Sequence, residues 1–174
     1  DLAAGLRLLA EHHLLTDSDE PRPPSKSTEL LAPQLNFFYE MNANPELVRS
    51  HLLSATVTLF GLGNAGASTA IALAAAGVGH LRCVDSSLVG GADTYLSNAF
   101  SHEDAGQLRA EVVAQRVAAK NPEVSVTIHT QIPESDDEVL ALVNGSDFVI
   151  NCLDAGESSL IYKLNRVCLQ AGIK

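Results

Sequence analysis

The stretch TLFGLGNAGAS, residues 58–68, constrains the fold of this chain more than any other feature. A short apolar run leads into Gly61, Gly63 and Gly66, and an alanine-rich segment follows. At this spacing one glycine allows a tight turn, one lets backbone approach phosphate oxygens, and one lets the next helix pack closely. Such glycines also occur in turns without a ligand, so the strand and helix patterns on either side carry the prediction. Together they predict a nucleotide site at the start of a helix.

Strand and helix patterns alternate after this turn. The predicted elements are a strand at 56–60, a helix to about 76, a strand at 80–84, a helix at 101–120, a strand at 124–130, a helix opened by Ser135, a buried strand in DFVINC and a helix at about 158–171. This order predicts an α/β fold, a Rossmann-like doubly wound and mainly parallel sheet. The sequence stops where another strand should begin, so we expect the C-terminal part of the fold to be absent from this chain.

The residues before the first strand do not share the alternation of strand and helix patterns. The sequence predicts an amphipathic helical segment at residues 1–15, and residues 16–33 hold four of the seven prolines with charges and serines, a composition typical of a linker. Residues 34–174 form the predicted nucleotide-binding domain. At its beginning, Asn44 is a predicted N-cap and Pro45 a first helical residue.

Composition excludes several classes of function. With 174 residues and 46% hydrophobic residues, the chain should form one soluble globular domain. A net charge of −10 without a basic run argues against nucleic acid, and no apolar segment is long enough to cross a membrane. The odd cysteine number (Cys83, Cys152, Cys168) and their apolar surroundings indicate core thiols in a reducing compartment, so we expect a cytoplasmic protein.

Asp85 ends the second predicted strand, where a Rossmann carboxylate meets ribose hydroxyls. The alternative is a solvated acid at a strand end. Neither the glycines nor this acid separates a dinucleotide from ATP. The connection that follows, residues 86–100, is longer than a dehydrogenase usually has, and it is long enough to lie across a bound nucleotide.

Three segments carry a family resemblance. VTLFGLGNAGASTAIALAAAGVGHLRCVD, SHEDAGQLRAEVVAQRVAAKNPEVSV and SDFVINCLDA resemble the ThiF/MoeB family, the bacterial relatives of ubiquitin-activating enzymes. The resemblance runs from about Leu35 to the end. LNFFYEMNANPELVRSHLLSATV is similar to the peptide-modifying branch, which includes the microcin-C adenylating enzyme and ThiF-like proteins of azole-peptide pathways. That branch begins with a leader-peptide-binding winged helix, whose last piece would fall on residues 1–15; a plain packing helix is the alternative.

The resemblance implies a function and a set of residues. Such enzymes bind Mg-ATP and adenylate the C-terminal carboxylate of a precursor peptide or ubiquitin-like protein, mostly by positioning and charge stabilisation. The resemblance also implies a homodimer. By resemblance the three glycines would cradle phosphates, Asp85 would hold the ribose, and Asp154 would act near the phosphates as a Mg²⁺ ligand, unless it only caps the last helix.

The family pattern is broken at the phosphate-contacting positions. A gapless count from Asp85 places Asp93 where the family has Asn, Leu96 where it has Arg, and Arg109 where it has Lys. A second family acid falls on Ser87. Leucine supplies neither charge nor donor to a triphosphate, and Asp93 adds a negative charge unless it binds the metal.

These departures leave three functions open. In the first, the chain adenylates a carboxylate, with Arg109 as a partial substitute and Asn98 or a residue of a dimer partner replacing the lost donors. In the second, a silent ThiF-like protein binds a precursor leader peptide and presents it to a partner cyclodehydratase. The third is an NAD-binding Rossmann dehydrogenase.

Overall fold

The structure is a computed structural model that describes residues 26–41 and 43–174. The predicted helical segment at 1–15 and most of the predicted linker lie outside the described residues. The chain divides into two compact units between His51 and Leu52. Within the described part, no helix is both long and apolar enough to cross a membrane.

The first unit contains α1 (Lys26–Glu40) and most of α2 (Pro45–Ser54). Helix α1 begins within the predicted linker, because residues 26–33 are helical and Pro33 lies inside the helix. A proline removes one backbone donor, and the turns on either side continue the helix. The Asn44 cap of α2 is confirmed, since Oδ1 accepts hydrogen bonds from the N–H groups of Glu46 and Leu47 at 3.1 and 3.2 Å.

The second unit is built around a four-stranded parallel sheet in the order β3-β2-β1-β4. Its elements are β1 (Thr56–Phe60), α3 (Asn64–Ala76), β2 (His80–Val84), α4 (Gly91–Leu96), α5 (Arg109–Lys120), β3 (Ser125–His129), α6 (Asp136–Val143), β4 (Phe148–Asn151) and α7 (Ser158–Ala171). The chain runs outward from β1 to β3 and then crosses to the other side of β1. This confirms the predicted doubly wound α/β sheet, and its switch point lies between β1 and β4.

Two apolar clusters cover the two faces of the sheet. Alternate strand residues such as Leu59 and Cys83 pack with α3 and α5 in one cluster, while Phe60 and Val84 pack with α6 and α7 in the other. The alanines of α3 are small enough for the helix to lie close to the sheet. Burial raises the pKa of the Cys83 thiol to about 12, as expected for a core cysteine.

Two predicted elements differ from the structure. The helix predicted at 101–120 is interrupted, because a 3₁₀ turn at His102–Asp104 is followed by Gly106 at φ +83° and an isolated bridge between Leu88 and Leu108. The strand predicted as buried is the edge strand β4, and Phe148 is 53% exposed. An edge strand has one neighbouring strand, so apolar side chains there need not be covered.

The Asp104 carboxylate joins this 3₁₀ turn to α5. Its Oδ2 accepts hydrogen bonds from the Ser101 N–H at 2.6 Å, the Ser101 hydroxyl at 2.8 Å and Arg116 Nη2 at 2.7 Å. Burial raises the pKa of Asp104, but the Ser101 hydrogen bonds and the Arg116 charge more than offset it. The net result is a pKa below the usual 3.8.

We expect the stabilising effect of Asp104 to disappear in acid. Below pH 3.8 the unfolded chain takes up a proton that the folded protein does not, so stability falls as the pH drops through the folded-state pKa. Asp104→Asn should lower the urea midpoint by roughly 0.5 M at neutral pH, and the difference from wild type should shrink as the pH falls below 3.8. Asp136→Asn is the matched control in an exposed Asp–Arg pair. A difference independent of pH would contradict the prediction.

Candidate functional site

The carboxyl ends of β1, β2 and β4 enclose a cleft of about 120 Å³ at the switch point. Backbone hydrogen bonds close its floor: the Gly61 N–H donates to the Val84 carbonyl at 2.9 Å, and the Cys152 N–H donates to the Phe60 carbonyl at 2.8 Å. Five of the predicted site residues line the cleft, namely Gly61, Gly63, Asp85, Arg109 and Asp154. Ligands of open α/β sheets bind at this edge.

The structure requires glycine at some positions of the turn and not at others. Gly61 has φ +83°, and a Cβ added there would lie 2.6 Å from the Cys152 carbonyl oxygen. A Cβ on Gly66 would lie 1.9 Å from the Gly61 carbonyl oxygen. A Cβ on Gly63 would meet only Arg109 Nη1, at 3.9 Å. The first and third glycines are therefore required by the fold, whereas the backbone of Gly63 at the N-terminus of α3 is open to a ligand.

Asp85 is 4% exposed and holds two segments together. Its Oδ2 accepts a hydrogen bond from the Leu62 N–H, and its Oδ1 accepts one from the Ser87 N–H, each at 2.6 Å. The alternative of a solvated strand-end acid is wrong. Each carboxylate oxygen has a second lone pair, so the group can still accept a hydrogen bond from a ligand hydroxyl.

Arg109 lies between two carboxylates. Its Nε and Nη2 donate to Asp93 in a bidentate arrangement at 2.9–3.1 Å, and Nη1 lies 3.9 Å from Asp85 Oδ2. Asp93 is 9% exposed and also accepts a hydrogen bond from the Gly90 N–H at 2.8 Å. The negative charge of Asp93 is therefore paired with the positive charge of Arg109.

The remaining predicted residues divide between the cleft and the surface. Asp154 is an exposed residue of the cleft, and its side chain makes no capping hydrogen bond to the 3₁₀ turn at Ala155–Glu157 or to α7, so the capping alternative is not observed. Asn98 is exposed in the turn after α4 and does not line the cleft, and Leu96 is 70% exposed nearby. Neither residue therefore lines the cleft at the glycine turn.

A groove that sequence reasoning missed adjoins the cleft. It has a volume of about 880 Å³, shares Ser86 and Ile132 with the cleft, and runs over the segment from Ile128 to Glu134 toward α6. In the groove, burial and the nearby Arg82 charge lower the pKa of His129. The available signal was the polar segment after β3, because parallel strands bring it to the same edge as the glycine turn. The small cleft and the groove together reach the size of a small-molecule site.

The parallel sheet order, the glycine turn and the acid after β2 define a Rossmann-like domain, a class of fold that binds ligands at the switch point. The chain belongs to the ThiF family, whose sequence model matches residues 32–174. This match confirms the family resemblance of the sequence.

Three comparisons place the chain more closely. It is 35% identical over 126 residues to the SAMP-activating enzyme E1 of Haloferax volcanii, covering 72% of this chain and 45% of that protein. The structure of PaaA gives a TM-score of 0.82 at 22% identity, covering 99% of this chain and 54% of PaaA. Escherichia coli MccB, solved with ATP, gives 0.81 at 22% identity, covering 97% and 48%. These structures share the fold, and the chain spans about half the length of each of these proteins.

Proposed function

We propose that this chain carries the nucleotide-binding part of an enzyme that uses ATP to adenylate the C-terminal carboxylate of a peptide or ubiquitin-like protein. The observation that carries the proposal is the convergence of the open Gly63 backbone, Asp85, Arg109 and Asp154 on one cleft. Family membership supports it, as do the SAMP-activating relative and the structural neighbour solved with ATP.

Each part of the site has a distinct task. The N–H groups at the start of α3 bind phosphate oxygens next to Gly63, aided by the positive end of the helix dipole. Asp85 accepts hydrogen bonds from ribose hydroxyls, and the adjoining groove receives the base. Arg109 Nη1 faces the glycine turn and offsets charge that develops on the α-phosphate.

The donor set suits magnesium bound together with phosphates. Within the described residues, no cluster of three or more His, Cys, Asp or Glu side chains could hold a metal ion. Mg²⁺ commonly takes one or two carboxylates plus substrate phosphates, and Asp154 offers an exposed carboxylate in the cleft. When bound, the ion would offset phosphate charge.

The attacking carboxylate oxygen forms a bond to the α-phosphorus. The bond between the α-phosphorus and the oxygen that bridges it to the β-phosphate breaks, and pyrophosphate leaves with that electron pair. Positioning of the two reactants supplies most of the acceleration in such a reaction. We place the activity in peptide natural-product maturation in the cytoplasm, with a homodimer as the working form.

A second function is favoured by one observation, the pairing of Arg109 with Asp93. A neutralised guanidinium, with Leu96 exposed and not among the residues that line the cleft, suits a protein that retains the fold but not the reaction. Such a protein would bind a precursor leader peptide and present it to a partner cyclodehydratase. The family match favours ATP over NAD as the nucleotide.

The test is a calorimetric titration of the full-length protein with Mg-ATP, with NAD in parallel, followed by carboxylate-dependent pyrophosphate exchange. We expect micromolar Mg-ATP binding, and exchange that falls about 100-fold in Asp154→Asn. Because Asp154 is exposed, this variant should keep the wild-type unfolding curve. Binding without exchange would favour the silent function, and binding of NAD alone would contradict both.

A further inference from the structure

The hydrogen-bonding capacity of Arg109 is unevenly used. A guanidinium has five N–H donors in a rigid planar fork. The Nε–Asp93 Oδ2 distance is 3.1 Å, and Nη2 lies 3.0 and 2.9 Å from the two Asp93 oxygens. Nη1 remains on the side of the glycine turn, near Gly63. Asp93 therefore both orients the guanidinium and determines which nitrogen a ligand can reach.

The electrostatic balance of the cleft follows from the same pair. Among the described residues that line the cleft, Arg109 is the only cation, whereas Asp85, Asp154 and Glu157 are acids. Asp93 lies directly behind the guanidinium, with its Oδ2 2.9 Å from Nη2, so its negative charge acts on any anion that reaches Nη1. Around the cleft, a polyanion that approaches Nη1 thus meets four carboxylates and one guanidinium.

Since this inference rests on the proposed nucleotide site, it concerns the specificity of that site. We propose that Asp93 is a specificity-determining residue that sets the number of phosphate charges the site accepts. By pairing with Arg109, it lowers the affinity for a metal-free triphosphate relative to a nucleoside monophosphate. The favoured ligand is adenosine monophosphate or a mixed anhydride of its phosphate with a carboxylic acid, that is, an acyl adenylate, because these carry fewer negative charges than the triphosphate.

The experiment measures the Kd of AMP, ADP and ATP for the full-length protein by calorimetry in EDTA, so that no metal offsets the phosphates. Asp93→Asn should lower the Kd of ATP by about tenfold and that of AMP by much less, with ADP between them. The readout is the ratio of Kd for ATP to Kd for AMP. Loss of a merely structural contact would weaken all three nucleotides together and leave the ratio unchanged.

The matched control is Asp136→Asn, which removes the same charge from a bidentate Asp–Arg pair that is not part of the cleft. It should leave the ratio at the wild-type value. Asp93→Glu, which retains the charge, should keep the ratio near wild type.

A second measurement needs no variant and therefore does not depend on the folding of Asp93→Asn. Raising the NaCl concentration from about 50 to about 300 mM screens the repulsion, so the wild-type ratio should fall as salt increases. If the nucleotides bind but the ratio of Kd for ATP to Kd for AMP changes neither with salt nor in Asp93→Asn, this inference is wrong and the proposed nucleotide site stands. Failure of the folded wild-type protein to bind any of the three nucleotides would overturn the proposed nucleotide site and this inference with it.

Discussion

Replacement of Gly66 by alanine is expected to lower the free energy of unfolding by about 3 kcal/mol or more, because the new methyl group cannot be accommodated. Its Cβ would lie 1.9 Å from the Gly61 carbonyl oxygen and 2.9 Å from the carbonyl carbon. Both atoms belong to the backbone of the turn, so relief requires α3 to move away from β1. Urea unfolding monitored by circular dichroism measures the loss.

Gly63→Ala is the matched control within the same turn. Gly63 has φ −66°, and its added Cβ meets only the end of the Arg109 side chain, at 3.9 Å. We expect a stability within about 1 kcal/mol of wild type. The methyl group would, however, stand between the backbone and a phosphate, so nucleotide affinity should fall about tenfold or more. Equal destabilisation by the two substitutions would show that the turn tolerates no side chain at either position.

Asp85→Asn is expected to destabilise the protein even without a nucleotide, by about 2–3 kcal/mol. The carboxylate accepts hydrogen bonds from two backbone N–H groups, Leu62 on the glycine turn and Ser87 on the following loop. An amide has one oxygen, so one of the two N–H groups would face an NH₂ donor in a buried position. Urea unfolding of the nucleotide-free protein measures the effect.

The control for this second prediction is Asp154→Asn, at an exposed carboxylate on the same edge of the sheet. Its stability should match wild type. A wild-type stability of Asp85→Asn would mean that the turn is held by its own backbone rather than by the carboxylate. Because Asp85 has this structural role, loss of nucleotide binding in its variants reports on ribose contacts only where the variant is shown to be folded.

Much of the fold was predictable because its determinants are local. The observed bounds of β1, β2 and α7 agree with the sequence patterns, since apolar alternation and helical spacing are properties of a few consecutive residues. The Asn44 cap was predictable for the same reason. The helix across Pro33 was not predicted, because proline content was weighed above the helical pattern around it.

The candidate site was predictable in part. The glycine turn and Asp85 each adjoin a predicted strand, and the carboxyl ends of parallel strands meet at one edge, so their proximity follows from the topology. The adjoining groove was missed, since its lining comes from a segment after β3 and from α6 that no motif connects. Asn98 was placed near the phosphates by its neighbourhood in sequence, whereas the path of α4 leaves it exposed.

The sequence by itself determined the order of strands and helices, the family, and the residue types at the turn, because these depend on local spacing and side-chain chemistry. Only the tertiary structure decided which of the three glycines stays open to a ligand and which carboxylate pairs with Arg109. Asp93 and Arg109 are separated by 16 residues, and the fold between them brings their charges to within 2.9 Å. Which carboxylate pairs with a cation depends on the distance between them and on their burial in the folded protein. Residue identity specifies neither quantity.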